Sequence, residues 1–197
     1  LARHSDGEVE KLGGMDYPGT DRSVADELTH RIATIGENMS LRRAATLSVK
    51  EGCVVDYIHN VAAPGLGKIG VLVGLESSAP ADTLRPLAKQ VAMHVAAASP
   101  NALMIAEVDQ EMLDRERTVQ REKALAEGKP EEFVDKMVEG RLRKFYEEIV
   151  LEEQAFVIDG KTRVKDVVAE AAKEAGADIK LVGYVKYALG EGIEKDE

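Results

Sequence analysis

A densely charged segment in the second half of the chain restricts the fold more than any other feature. From Glu107 to Glu153, 24 of the 47 residues are charged. The few apolar residues in its latter part recur at a 4-4-3-4 spacing: Val134, Val138, Leu142, Phe145 and Ile149. This spacing gives a helix one narrow apolar seam of the kind found in coiled coils.

The break at Gly128-Lys129-Pro130 divides this segment into two arms. Glycine permits a tight reversal, and proline is suited to the first position of the following helix. The first arm offers weaker apolar partners, namely Val108, Met112, Val119 and Leu125–Ala126. We therefore expect an antiparallel α-helical hairpin, coiled-coil-like and projecting into solvent.

The residues before the hairpin alternate between helical and strand patterns. Helical spacing of apolar residues predicts one helix from about Ser23 to Ile35 and another over Pro80–Ser99. Period-two alternation predicts antiparallel strands over Ser40–Val49, Cys53–Asn60 and Val71–Ser77. These elements predict a small sheet covered by helices on one face.

A similar, smaller pattern follows the hairpin. It predicts a short strand at Gln154–Asp159, a helix within Thr162–Gly176 and a final strand within Asp178–Gly192. We therefore expect an α+β fold with two small antiparallel-sheet/helix subdomains and the projecting hairpin. The corresponding domains are residues 1–106, 107–153 and 154–197.

The composition of the chain argues against nucleic acid and membranes as partners. The formal net charge of −10 argues against sequence-independent nucleic-acid binding, which depends on lysine and arginine. No uncharged apolar run approaches the roughly 20 residues that span a bilayer. The single Cys53 has no partner for an internal disulfide. We expect a cytoplasmic protein without direct contact to nucleic acid or membrane.

Three glycines raise the possibility of a nucleotide site. Gly65, Gly67 and Gly70 satisfy G-x-G-x-x-G, the spacing that cradles a dinucleotide pyrophosphate when it opens a helix. Here an apolar, branched run follows the glycines, which indicates a strand. Lys68 precedes Ile69 and not the Ser or Thr of a Walker loop. The context favours a hairpin loop, with a nucleotide-dependent enzyme as the alternative.

The sequence offers no catalytic group and no metal site. Its four histidines, His4, His30, His59 and His94, lack any zinc-ligand spacing. Cys53 lies beside branched residues and is interpreted as a small buried hydrophobe. His94 lies at the margin of the apolar face of its helix, and two interpretations stay open. It either packs against its own sheet or offers a polar contact to a partner. We expect no cofactor and no enzymatic activity.

Six segments, in order, carry a resemblance to a known family. They are "IGENMSLRRAA" (Ile35–Ala45), "KIGVLV" (Lys68–Val73), "MHVAA" (Met93–Ala97), "KMVEGRLRKFYEE" (Lys136–Glu148), "QAFV" (Gln154–Val157) and "GEGIEK" (Gly190–Lys195). On these motifs the chain resembles bacterial elongation factor Ts over nearly its whole length from about Tyr17.

The resemblance implies a guanine-nucleotide exchange factor that binds elongation factor Tu during translation elongation and disturbs its phosphate and magnesium site, so that GDP leaves. Carried over by position, the partner-facing residues are Ile69, Gly70 and His94 for the GTPase domain. Val157 and Ile158 are the corresponding residues for Tu's third domain. The alternative is a generic helical-hairpin module for protein interaction or dimerisation, and a homodimer stays open.

The sequence departs from the family pattern in three places. It contains neither the N-terminal ubiquitin-associated-like domain nor the T-D-F-V motif that reaches Tu's magnesium site, and it stops before the family's C-terminal helix. We therefore expect these 197 residues by themselves to bind Tu weakly and to exchange its nucleotide poorly.

Overall fold

The computed structural model describes residues 4–192, and the chain divides into two compact units, Leu1–Ser48 and Val49–Glu197. The end of the "GEGIEK" motif, Ile193–Lys195, lies outside the described residues. The three-part domain division expected from the sequence stays a prediction.

The first unit contains two helices, α1 (Val9–Gly13) and α2 (Val24–Ile35). The Ser23 hydroxyl accepts a hydrogen bond from the Asp26 backbone N–H at 3.1 Å and caps the start of α2. Gly36 ends it in the left-handed conformation at φ 78°. These two residues account for both ends of the helix predicted here, and the prediction is confirmed.

The strand predicted over Ser40–Val49 is wrong, because this stretch has no regular secondary structure. Strict alternation would place Leu41, Ala45 and Leu47 on one face, but Arg43 stands among them. Because a charged side chain interrupts that face, the segment lacks the continuous apolar side that covers a core.

The second unit is built on one antiparallel sheet in the order β1-β2-β3, formed by β1 (Gly52–Ala63), β2 (Leu66–Glu76) and β3 (Lys180–Ala188). The expectation of two separate sheets is wrong, because the last strand, β3, pairs with β2 in the same sheet. The third strand of this sheet is β3 and not Ser40–Val49. The mixed α+β class is confirmed. Strand β3 buries Leu181 beside Leu75, and the irregularity between Gly74 and Leu75 brings Tyr184, three residues later, against the same core.

One helix, α3 (Ala81–Ala98), covers the sheet and supplies the largest share of the core. From β2 the core receives Val71, Val73 and Leu75, and from α3 it receives Leu84, Leu87, Ala88, Val91 and Val95. Helix α6 (Val164–Ala175) adds Val164 and Val168, and Gly176 ends it in the left-handed conformation. Both helices and their apolar faces agree with the sequence patterns.

Helices α4 (Gln110–Ala126) and α5 (Glu131–Ile149) pack against each other, and short 3-10 turns flank them at Ile105–Glu107 and Leu151–Glu153. The seam predicted on α5 is buried at Val134, Val138 and Leu142. Its partners on α4 were predicted wrongly: Leu113 and Ala124 are buried, whereas Met112, Val119 and Leu125 are exposed. Of these two, Ala124 belongs to the buried cluster formed with Val134, Val138 and Leu142 of α5.

Candidate functional site

The predicted strand at Gln154–Asp159 is instead a tightly held turn. Ala155 makes only an isolated bridge with Arg163. The Asp159 carboxylate accepts the backbone N–H groups of Lys161 and Thr162, each at 3.0 Å, and the Thr162 hydroxyl. The Phe156 N–H donates to the Thr162 carbonyl at 2.7 Å. An acidic side chain that satisfies several local N–H groups closes a turn and does not extend a strand.

This turn, Gln154–Arg163, is here named the anchored turn. The Thr162 hydroxyl, followed by the two backbone N–H groups, lowers the pKa of Asp159 to about 2. The carboxylate is therefore ionised at any physiological pH, and its hydrogen bonds persist.

The anchored turn exposes two neighbouring apolar side chains. Val157 is 43% exposed and Ile158 is 55% exposed, whereas Phe156 beside them is buried. A rigid turn that exposes apolar side chains loses little conformational entropy when a partner covers them. This geometry suits a docking surface.

His94 of α3 holds the anchored turn by hydrogen bonds from the interior of the unit. Its ring is completely buried, and its Nδ1 accepts the Val157 N–H at 3.2 Å. Its Nε2 lies 2.8 Å from Gln154 Oε1, and the Gln154 amide in turn donates to the Glu148 carbonyl at 2.7 Å. Because a backbone N–H only donates, Nδ1 carries the lone pair and Nε2 carries the proton. His94 is therefore neutral, with both ring nitrogens satisfied.

The surroundings of His94 keep it neutral. Burial lowers the pKa of His94, and the hydrogen bond to Gln154 only partly opposes this. The Phe156 ring lies against the imidazole with 5.7 Å between ring centroids. Protonation at Nδ1 would remove the acceptor for the Val157 N–H, so the neutral form is the one that holds the anchored turn.

The three glycines of the G-x-G-x-x-G spacing lie in the β1–β2 hairpin and open no helix. Gly65 follows Pro64 in the turn and has φ +77°, which glycine adopts freely. A Cβ on Gly67 would lie 2.3 Å from Ile58 Cγ2, so this position needs glycine for packing. The sequence favoured a hairpin loop and not a nucleotide-binding loop at these glycines, and this prediction is confirmed. The turn is shorter than expected.

Gly70 differs from the other two glycines. Among residues 4–192, a Cβ built there would meet no atom within 4 Å, and the φ of Gly70 is not positive. Neither packing against these residues nor backbone strain therefore requires glycine at this position.

The family model described as Elongation factor TS matches residues 1–191. The chain is 58% identical to elongation factor Ts of Rhodospirillum centenum, over 99% of this chain and 64% of that protein. It is 57% identical to that of Rhodospirillum rubrum (97% and 62%) and 47% identical to that of Bartonella bacilliformis (100% and 64%). The chain belongs to the elongation factor Ts family. It spans just under two thirds of the length of these curated relatives.

The structure brings together some of the residues that the elongation factor Ts resemblance selected. His94 and Val157 are hydrogen-bonded, and Ile158 follows directly. Ile69 and Gly70 lie on β2, paired with β1 and β3, and no hydrogen bond joins them to the anchored turn within residues 4–192. Ile69 is half-buried against the core. Because His94 is wholly buried, its position agrees with packing inside the chain and not with a surface polar contact.

Sequence reasoning missed Gln154, which joins His94 to the end of α5. A signal was present: Gln154 stands next to the apolar "AFVI" run, and His94 lies on an apolar helix face. Two polar side chains in apolar surroundings each need a hydrogen-bond partner, so each is a candidate partner for the other.

Within residues 4–192 no three His, Cys, Asp or Glu side chains are arranged to hold a metal ion. In the same range, every helix is too short or too polar to traverse a lipid bilayer.

Proposed function

We propose that this chain is part of a guanine-nucleotide exchange factor for elongation factor Tu in translation elongation, acting in the cytoplasm. Membership of the elongation factor Ts family supports this. The single structural observation that carries the proposal is the exposed Val157–Ile158 pair on a turn that buried hydrogen bonds hold in place.

Such a factor needs no covalent chemistry. A partner that binds nucleotide-free Tu more tightly than GDP-bound Tu weakens GDP binding by the same factor, because the two equilibria are linked. We propose that the anchored turn holds Tu's third domain, while Ile69 and Gly70 face the GTPase domain near its phosphate and magnesium site. His94 then acts as a positioning residue that fixes Val157, in place of the direct contact expected from the resemblance.

The space over Gly70 supports close approach by a partner. Since nothing inside the described chain occupies that space, a Cβ there would obstruct only an external molecule. We propose that the partner's backbone comes close to β2 at this position. The glycine spacing thus serves a protein that acts on a nucleotide-binding partner and does not bind nucleotide itself.

The test is capture of purified elongation factor Tu by the immobilised chain, with and without GDP. We expect nucleotide-free Tu to bind and added GDP to weaken the binding. Ile158→Asp places a charge on the docking surface and should weaken capture at least about tenfold, given the free energy of burying such a side chain. Phe133→Asp, at 54% exposure on α5, is the matched control and should leave capture unchanged.

Equal capture with and without GDP would contradict the exchange mechanism. If Ile158→Asp and Phe133→Asp weaken Tu capture equally, the anchored turn is not part of the interface. Saturable binding of GDP or NAD by the chain alone would support the nucleotide-dependent alternative instead.

A further inference from the structure

The two ends of the anchored turn lie side by side. Ala155 forms an antiparallel bridge with Arg163. Next to this bridge the Val164 N–H donates to the Gln154 carbonyl at 3.1 Å. We call these four residues the neck of the anchored turn. The exposed Val157–Ile158 pair lies beyond the neck, so the orientation of the neck sets the direction in which this pair points.

Each side of the neck is tied to the last turn of α5. On the incoming side, the Gln154 amide donates to the Glu148 carbonyl at 2.7 Å. On the outgoing side, Arg163 Nη2 donates to the Glu147 carboxylate at 2.8 Å. Because Glu147 and Glu148 are adjacent, one short piece of helix holds both sides of the neck. The neck therefore pivots on α5 only if one of these two bonds breaks.

Arg163 belongs to an alternating chain of four charges. Its Nη1 donates to one oxygen of the Glu153 carboxylate at 2.9 Å, and the Lys165 ammonium donates to the other oxygen at 2.6 Å. The order of charges is thus Glu147, Arg163, Glu153 and Lys165. The Glu153 side chain is only 13% exposed, so its two cations shield a largely buried carboxylate. A guanidinium holds two carboxylates in fixed directions, which the point charge of a lysine does not.

From this geometry we infer that Arg163 is a positioning residue for the docking of elongation factor Tu, because it ties the neck of the anchored turn to α5. The inference rests on the proposed function, in which the Val157–Ile158 pair meets Tu. His94 holds the far part of the turn through the Val157 N–H, and Arg163 holds its base. Together the two contacts leave the exposed pair a single orientation.

The tether should matter more for docking than for folding. The side chains of Arg163 and Glu147 are 38% and 43% exposed, and ion pairs at such positions contribute little to the free energy of unfolding. A chain whose turn has pivoted is still folded, yet it does not present the Val157–Ile158 pair correctly. If loss of the tether leaves about one chain in five correctly oriented, the dissociation constant for Tu rises about fivefold.

Capture of nucleotide-free Tu by the immobilised chain, over a range of Tu concentrations, tests the inference. Arg163→Met preserves an unbranched side chain without its charge and should raise the dissociation constant about fivefold. Arg163→Lys should recover only a part of the lost affinity, because one ammonium does not replace the two-sided fork. The matched control is Arg143→Met, which removes the same charge from an exposed position on α5 and should leave capture unchanged.

A second pair of variants separates positioning from direct contact between Arg163 and Tu. Glu147→Ala removes the attachment point on α5 and leaves Arg163 in place, so it should also weaken capture. The double variant should bind no more weakly than Arg163→Met alone, since both changes remove the same tether. Direct contact predicts normal capture by Glu147→Ala. Glu139→Ala, at an exposed position one to two turns earlier on α5, is the matched control.

Normal capture by Arg163→Met, or by Glu147→Ala, would overturn the inference while leaving the proposed function intact. If the wild-type chain does not capture Tu, the proposed function fails, and the docking role of Arg163 fails with it. Amide hydrogen exchange then shows whether Arg163 orients the turn at all. The Val157 N–H should exchange about fivefold faster in Arg163→Met than in the wild type, and equal rates would overturn the tether itself. Circular dichroism confirms that each variant is folded.

Discussion

Replacing Gln154 by Met should show how much the buried hydrogen bonds beneath the anchored turn contribute to stability. Methionine matches glutamine closely in shape, so packing is preserved. It neither accepts the His94 Nε2–H bond, now 2.8 Å long, nor donates to the Glu148 carbonyl. His94 cannot change tautomer to compensate, because its Nδ1 must stay unprotonated to accept the Val157 N–H.

The magnitude follows from two orphaned groups. Each buried donor or acceptor left without a partner costs about 1–3 kcal/mol. Burial of the apolar Met side chain offsets part of this cost. We therefore expect the free energy of unfolding to fall by about 2–4 kcal/mol. Urea denaturation with linear extrapolation measures this loss. The matched control is Gln120→Met, whose amide makes a 2.6 Å hydrogen bond on the half-exposed side of α4. It should cost no more than about 0.5 kcal/mol.

A double substitution of Gln154 and His94 tests whether the two side chains stabilise the turn through their shared hydrogen bond. His94→Phe removes the group that Gln154 satisfies, so the double variant should lose clearly less stability than the sum of the single losses, by about 1–3 kcal/mol. If Gln154→Met destabilises no more than Gln120→Met, or if the two losses simply add, the hydrogen bonds are not what holds the turn.

Two further predictions concern His94 and the hairpin glycines. Because the pKa of His94 is lowered in the folded chain, the unfolded chain binds the proton more readily, so the His94 contribution to stability is complete above about pH 6.5 and is lost as the pH falls through the lowered folded value. Urea denaturation between pH 7.5 and 5 should show this decline, and the His94→Phe variant should show a smaller one; an unchanged profile would exclude His94 as its source. Gly67→Ala should destabilise the chain by about 1–3 kcal/mol, since the new methyl would lie 2.3 Å from a side-chain atom of β1. Gly70→Ala should leave the unfolding free energy nearly unchanged yet weaken Tu capture, and normal capture would argue against close approach there.

The sequence predicted helices better than strands, for a physical reason. Helix α2 shows its cap at Ser23, its stop at Gly36 and its apolar stripe within a single short window. All the information about such an element is local. The pairing of β3 with β2 is not local, because four helices, α3 to α6, separate the two strands along the chain.

The candidate site also depends on contacts that are not local in sequence. The family motif identified the exposed Val157 and Ile158, but it did not identify the hydrogen bonds that hold their turn in place. His94 lies 60 residues before Gln154, so the two side chains meet only once α3 and the end of α5 are in place. On α4 the apolar residues were visible, yet the spacing did not reveal that Leu113 and Ala124 would be buried and Met112 exposed.

The order in which the strands are synthesised determines when the sheet can be completed on the ribosome. Strand β2 pairs with β1 early, but its other edge waits for β3, which is made after α3, α4, α5 and α6. During that interval β2 offers unpaired backbone groups to any neighbouring nascent strand. Helices α4 and α5, which depend on nearby residues, are free to fold in the meantime. Synthesis that pauses before Lys180 should therefore leave a species with a well-formed helix pair and an aggregation-prone sheet edge.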